Sequence, residues 1–126
     1  MELNDISGEI VDAAIEVHRE LGGPGLLESI YEEALALELS ERGLKVERQK
    51  TVPVVYKGRR LATDFRIDLL VEQQVVVECK AASVTNPVFG AQVLTYLRLL
   101  DLKLGLVVNF GKKRVADGIH RVVNGL

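Results

Sequence analysis

An α/β fold, with a central mixed β-sheet flanked by helices, is what the 126-residue sequence predicts. Two observations carry that expectation. Apolar residues recur at helical spacing through the first third of the chain, then give way to alternation rich in β-branched residues. The segments marked in this way follow in the order ααβββαββ, and a sheet in such a mixture buries its faces under the helices.

Ile6, Ile10, Ala13, Val17 and Leu21 share one helical face, which predicts an amphipathic helix over 4–21. "GGPG" at 22–25 stops it, because glycine and proline break helices and favour turns. A second helix is expected from about 27 to 42, with Leu35 and Leu39 on its apolar side and Gly43 at its close. "LKVERQKTVPVVYKGRRLATDFRIDLLV" alternates, with Lys57-Gly58 as a hairpin turn. Glu72-Gln73-Gln74 turns the chain into "VVVECK". Asn86 is placed to cap the third helix with Pro87 at its first position, where the missing donor does no harm. "LKLGLVVNF" reads as a buried strand and "GIHRVV" as a short last one. No linker or repeat interrupts the chain, so residues 1–126 are expected to form a single domain.

Cys79 is the only cysteine, which excludes an internal disulfide and any four-thiolate metal site and fits a reducing, cytoplasmic location. The acidic, amphipathic start is unlike a signal peptide, and no apolar run reaches membrane-spanning length, so no membrane partner is expected. The net charge of −2 hides a polarised chain. Residues 1–44 hold eleven acids and two bases, a net −9, whereas residues 45–126 hold seven acids and fourteen bases, a net +7. Lys57, Arg59, Arg60 and the run Lys112, Lys113, Arg114 are clusters able to bind phosphate, or else solvated turn residues.

The chemistry concentrates in "RIDLLVEQQVVVECK", residues 66–80. Glu78 and Lys80 are two apart on a strand and project from one face, while Cys79 points away. A three-residue turn at 72–74 sets Val71 opposite Val75 and therefore Asp68 opposite Glu78, with β-carbons about 5 Å apart. Carboxylates so placed repel, and a divalent cation relieves the repulsion. Hard oxygen ligands in a small group suit Mg²⁺, which keeps several of its waters. Lys80 could then activate water or neutralise charge on a phosphate. The same spacing also describes a surface salt-bridge cluster at a sheet edge.

Asp68 with "ECK" resembles the D…(D/E)-x-K core of the PD-(D/E)xK nuclease superfamily. "GLLESIY", with Gly25, Glu28 and Tyr31, is similar to the signature of the GxxExxY protein family. "VHRELGGPGLLESIYEEAL", "RIDLLV", "AQVLTYLRLL" and "GLVVNFG" extend that resemblance over nearly the whole chain. It implies a restriction-endonuclease-like core and a Mg²⁺- or Mn²⁺-dependent nuclease, with nucleic acid, DNA before RNA, as the partner. It implies Asp68 and Glu78 as metal-binding acids, Lys80 as the catalytic lysine, and Cys79 as a metal contact through its backbone carbonyl. Glu28 resembles the helical glutamate that completes or supports the metal site, and Tyr31, three residues on, either reaches the same cleft or packs. Gln92 and Tyr96 resemble the Q-x-x-x-Y element that contacts substrate. His18, on the flank of the first helix, reads as structural. Strong sequence specificity would need a homodimer or another partner. Two other readings stay open at this point: a non-cleaving nucleic-acid-binding module of the same fold, and a protein-interaction subunit docking through its acidic first third.

Overall fold

The apolar stripe of the first helix is the surface that buries. In the computed structural model, which describes residues 1–126, α1 spans Leu3–Glu20 and sinks Ile6, Ile10, Ala13, Ala14 and Val17 into the core. The second helix, α2, spans Glu28–Glu41 and buries Tyr31, Leu35, Ala36 and Leu39. The loop between them reverses through Gly22, Gly23 and Gly25, whose φ values of 86°, 93° and 118° suit glycine alone. Tyr31 locks this loop. Its hydroxyl donates to the Gly23 carbonyl at 2.7 Å and accepts the Leu26 N–H at 3.1 Å.

Five strands make the main sheet: β1 (Val46–Val52), β4 (Phe65–Val71), β5 (Val75–Lys80), β6 (Leu104–Asn109) and β7 (Ile119–Val123), side by side in that order. Only β5 and β6 run parallel. They are joined by the crossover helix α3 (Val88–Leu100), as a parallel pair requires. The result is a mixed sheet with α1 and α2 on one face and α3 on the other, each face with its own apolar cluster. β5 and β6 are buried on both faces, which explains their nearly unbroken runs of valine and leucine.

The structure revises one part of the expected strand order. Lys57-Gly58 does turn a hairpin, but not between two long sheet strands. It joins β2 (Val55–Tyr56) and β3 (Arg59–Arg60), a separate two-stranded ribbon. Pro53 has no amide to give to a ladder, so β1 stops at Val52 and the ribbon starts afresh beyond it. Asn86 caps α3 as expected, its Oδ1 accepting the Val88 N–H at 3.0 Å. No helix is long and apolar enough to cross a membrane.

Candidate active site

Where β4 and β5 part, two carboxylates take over the work of the ladder. The turn at 72–74 sets the expected register, with Val71, Leu70 and Leu69 facing Val75, Val76 and Val77, and there the ladder ends. Asp68 and Glu78 are the next residues along. The Asp68 N–H donates to Glu78 Oε1 at 3.1 Å, and the Cys79 N–H donates to Asp68 Oδ2 at 2.9 Å. Each carboxylate thus commits one oxygen to a strand amide. Of the others, Asp68 Oδ1 receives only a long contact from Gln49 at 3.4 Å, and Glu78 Oε2 receives none.

Their electrostatics conflict. Glu78 is 4 % exposed. Burial first, and then the charge of Asp68, push its carboxyl up to about 8, against weaker relief from the Asp68 amide and from Lys80. Uncompensated, this arrangement favours a proton on Glu78; a cation would take its place.

β1 contributes a feature with no mark in the sequence. Arg48 faces Leu69 and Lys50 faces Ile67, while Gln49, opposite Asp68, leaves the ladder with a left-handed φ of 50°. That conformation costs a residue with a β-carbon about 1–2 kcal/mol. The turned backbone lets the Gln49 amide reach Glu32 Oε1 at 2.6 Å and Asp68 Oδ1 at 3.4 Å. β4 loses its alternation at the same level, since Ile67 and Leu70 both pack in the cluster beneath α3. Glu32 is almost fully buried and is also held by Arg48 at 3.1 Å. Burial raises its pKa, Gln49 opposes that shift, and the Asp68 charge adds to it.

On the α3 side, Lys80 Nζ donates to Gln92 Oε1 at 3.4 Å and lies 4.9 Å from the centroid of the Phe89 ring. Tyr96, one turn beyond Gln92, stacks on Phe65 with centroids 4.7 Å apart. Burial, and then the charge of Glu78, raise the pKa of its phenol. Gln92, Tyr96 and Lys80 therefore gather around the carboxylate pair. A cleft of about 380 Å³ opens between Lys80 and the Val88–Thr95 face of α3.

Two expected members make no hydrogen bond to the carboxylate pair. Tyr31 is wholly buried, stacked on Phe110 with centroids 4.7 Å apart, and both contacts of its hydroxyl go to the α1–α2 loop. It packs and does not reach the cleft. Glu28 is exposed at the start of α2 and makes no hydrogen bond or ion pair; the carboxylate that α2 brings toward Asp68 is Glu32, one turn on. His18 is structural as expected: its buried Nε2 lies 3.2 Å from the Phe110 carbonyl and 3.0 Å from that of Lys112. The Cys79 side chain is fully buried in the cluster beneath α1 and α2, and burial pushes its thiol well up.

No group of three or more His, Cys, Asp and Glu side chains is arranged to hold a metal ion. The donor set nonetheless suits a hard cation that keeps water: two carboxylates, each with an oxygen to spare, and one carbonyl. The Cys79 N–H points across the gap at Asp68, and a residue's N–H and C=O leave a strand on the same side. The Lys80 carbonyl, alternating with it, points the other way and accepts the Phe110 N–H at 2.8 Å. The Cys79 carbonyl is therefore turned into the gap between β4 and β5.

No curated protein and no solved structure matches the chain. A family model describing the PD-(D/E)XK nuclease superfamily matches residues 4–122, from the first helix to the last strand. With the parted strands, their paired acids and the following lysine inside that span, the chain belongs to the PD-(D/E)XK nuclease superfamily.

Proposed function

We propose that the protein is a divalent-metal-dependent nuclease that hydrolyses phosphodiester bonds, with DNA as its substrate before RNA. The observation that carries the proposal is the facing pair of Asp68 and Glu78, each giving one oxygen to an amide of the other's strand and keeping a second that no strand amide takes. Asp68, Glu78 and the Cys79 carbonyl would hold Mg²⁺ or Mn²⁺, with Glu32 behind Asp68 through Gln49 and Glu28 at the outer rim. The bound cation would supply Lewis-acid stabilisation of a phosphate oxygen and a more acidic water. Lys80 would offer its ammonium to the charge that develops on the phosphate, and Gln92 would orient that ammonium. Tyr96, fixed by Phe65, would line the path of the strand. Gly25, Glu28 and Tyr31 support placing the chain in the GxxExxY family, and the lone buried thiol supports a reducing cytoplasm. Residues 1–126 would act as one nuclease domain, with a second copy as the source of any strong sequence specificity.

The test is cleavage of linear, nicked, flapped and four-way DNA with Mg²⁺, with Mn²⁺ and with EDTA. Lys80→Ala is expected to keep metal and nucleic-acid affinity near that of the wild type. Its cleavage should fall about a hundredfold or more, the usual loss for one preorganised electrostatic group. A wild type that cuts in EDTA, or a Lys80→Ala protein that cuts as fast, would overturn the assignment.

A further inference from the structure

The ribbon of β2 and β3 touches little but itself, yet it carries exposed apolar and cationic side chains together. Val55 and Tyr56 are each 60 % exposed, and Leu61 is 43 % exposed. A two-stranded hairpin is marginally stable on its own in water, and exposed aromatic surface beside cations needs a reason. From residues 53 to 62 the ribbon has three bases and no acid. Arg60 is paired with Asp64 at 3.4 Å, whereas Lys57 and Arg59 take part in none of the ion pairs of the protein.

Its geometry is specific. Tyr56 and Arg59 are register partners and share one face of the ribbon. Lys57 and Gly58 form the turn with φ values of 50° and 79°, the tight primed type that keeps a hairpin twisted and its tip narrow. Lys57 Nζ lies 5.4 Å from the centroid of the Tyr56 ring. With the Lys57 ammonium over one side of the ring, the other π-face of this exposed tyrosine would take a base, and Lys57 and Arg59 would meet its flanking phosphates.

The position is equally specific. The ribbon springs from Val52 and Phe65, the last register pair of β1 and β4. Phe65 lies three residues, about 10 Å, from Asp68 along β4. β4 is antiparallel to β5, so this root lies at the same edge of the sheet as the end of β5, where Lys80 stands. Phe65 also stacks on Tyr96 of α3, so one aromatic pair joins the foot of the ribbon to the helix that walls the cleft.

From these observations we infer that the β2–β3 ribbon is an arm that grips an unpaired stretch of the polynucleotide beside the cleft, with a base stacked on Tyr56 and phosphates on Lys57 and Arg59. The inference rests on the nuclease reading above and adds the strand state of the substrate. Stacking needs an exposed base face, which a continuous duplex does not offer; the arm therefore selects single strands, flaps and gaps.

Fluorescence anisotropy of the full chain in EDTA, which leaves the probe intact, tests it with a dT oligomer, a U oligomer and a blunt duplex, each about 20 nucleotides long, across a salt series. Tyr56→Ala should weaken both single strands by about 5- to 150-fold, the loss of one base–aromatic stack, and leave the duplex and the salt slope unchanged. Tyr56→Phe should restore binding, because the ring and not the hydroxyl is used. The double variant Lys57→Glu, Arg59→Glu should reduce the single-strand salt slope by about 1.4. All three positions are at the surface, and circular dichroism verifies the fold of each variant. A wild type that binds and cuts but is indifferent to these changes overturns the arm alone. Equal weakening of duplex and single strand by Tyr56→Ala overturns the stacking role. A wild type that neither binds nor cuts any nucleic acid overturns the nuclease reading itself.

Discussion

Glu78 is a single carboxyl on which stability and function pull in opposite directions. Buried beside Asp68, it has a folded pKa of about 8 against an ordinary 4.5. Because the folded pKa is the higher one, the folded chain holds its proton more tightly than the unfolded chain does. The stability this confers is complete below the ordinary value and is lost as pH rises through about 8. Metal-free protein should therefore lose stability between those two values by at most about 1.4 kcal/mol per pH unit. Glu78→Gln should flatten the slope and be the more stable protein at pH values near 8 or above. Added Mn²⁺ should stabilise the wild type, increasingly so as pH rises in that window, and should do nothing for Glu78→Gln. Chemical denaturation at several pH values, with and without the ion, measures both. A Glu78→Gln protein that is clearly less stable without metal would mean that the carboxylate is held by a structural ion pair, and the site would fall with it.

At the scale of the strand, legibility divides cleanly. The facing of Asp68 and Glu78 could be read from the sequence because β-pairing is arithmetic: a three-residue turn fixes every later pair. The fate of Tyr31 could not, because spacing on a helix says which residues share a side but not whether that side meets a cleft or the core. The ribbon was only half visible, as a turn without the break that Pro53 makes. Gln49 left no trace at all. Left-handed backbone is signalled by glycine or asparagine, and here a glutamine adopts it under tertiary constraint. Glu32 did carry a faint signal, four residues after Glu28 on the same side of α2. The strain at Gln49 suggests that β1 is bent in order to place an amide between Glu32 and Asp68. Gln49→Gly should then relieve the backbone, leaving stability equal to the wild type or up to about 1 kcal/mol higher, while Gln49→Ala loses the amide and keeps the strain. Both should weaken Mn²⁺ binding by about tenfold or more, as loss of a group that orients a metal ligand does. Calorimetric titration separates the outcomes, and unchanged affinity in both variants would reduce Gln49 to a local irregularity.

Across the whole molecule, the two halves of the charge distribution occupy different places. The acidic first third folds into α1 and α2 on one face of the sheet, where Glu9, Glu16, Glu32 and Glu38 are partly neutralised by Arg19, Arg42 and Arg48. Six of the sixteen bases stand along one edge. The ribbon's Lys57 and Arg59 stand at the root of β4, Lys80 at the end of β5, and Lys112, Lys113 and Arg114 just past the end of parallel β6. From β4 to β6 is two strand spacings, about 10 Å, so the segments carrying these bases lie at one end of the sheet, Lys80 turned toward α3 and Lys113 and Arg114 beside His18 and Arg19 of α1. A polyanion on a track along that end would meet cations from the ribbon, from β5 and from the segment after β6, with the carboxylate pair between them. Charge alone left the run at 112–114 undecided between phosphate binding and a solvated turn; the parallel pairing of β5 and β6 puts it at the same end of the sheet as Lys80. Lys112 gives its ammonium only to the Ser83 carbonyl at 3.3 Å, and Lys113 is exposed, so neither is consumed by an acid. Reversing both, with Lys112→Glu and Lys113→Glu, should lower affinity for duplex and single-stranded DNA alike and reduce the salt slope by about 0.7–0.9 for each phosphate no longer neutralised. Metal affinity should not move. The pattern differs from that of Tyr56→Ala, which should spare the duplex and the slope, so the two ends of the track can be told apart by one salt series on two probes. If the slopes of the reversed protein match those of the wild type, Lys112 and Lys113 are solvated turn residues and the track ends at Lys80.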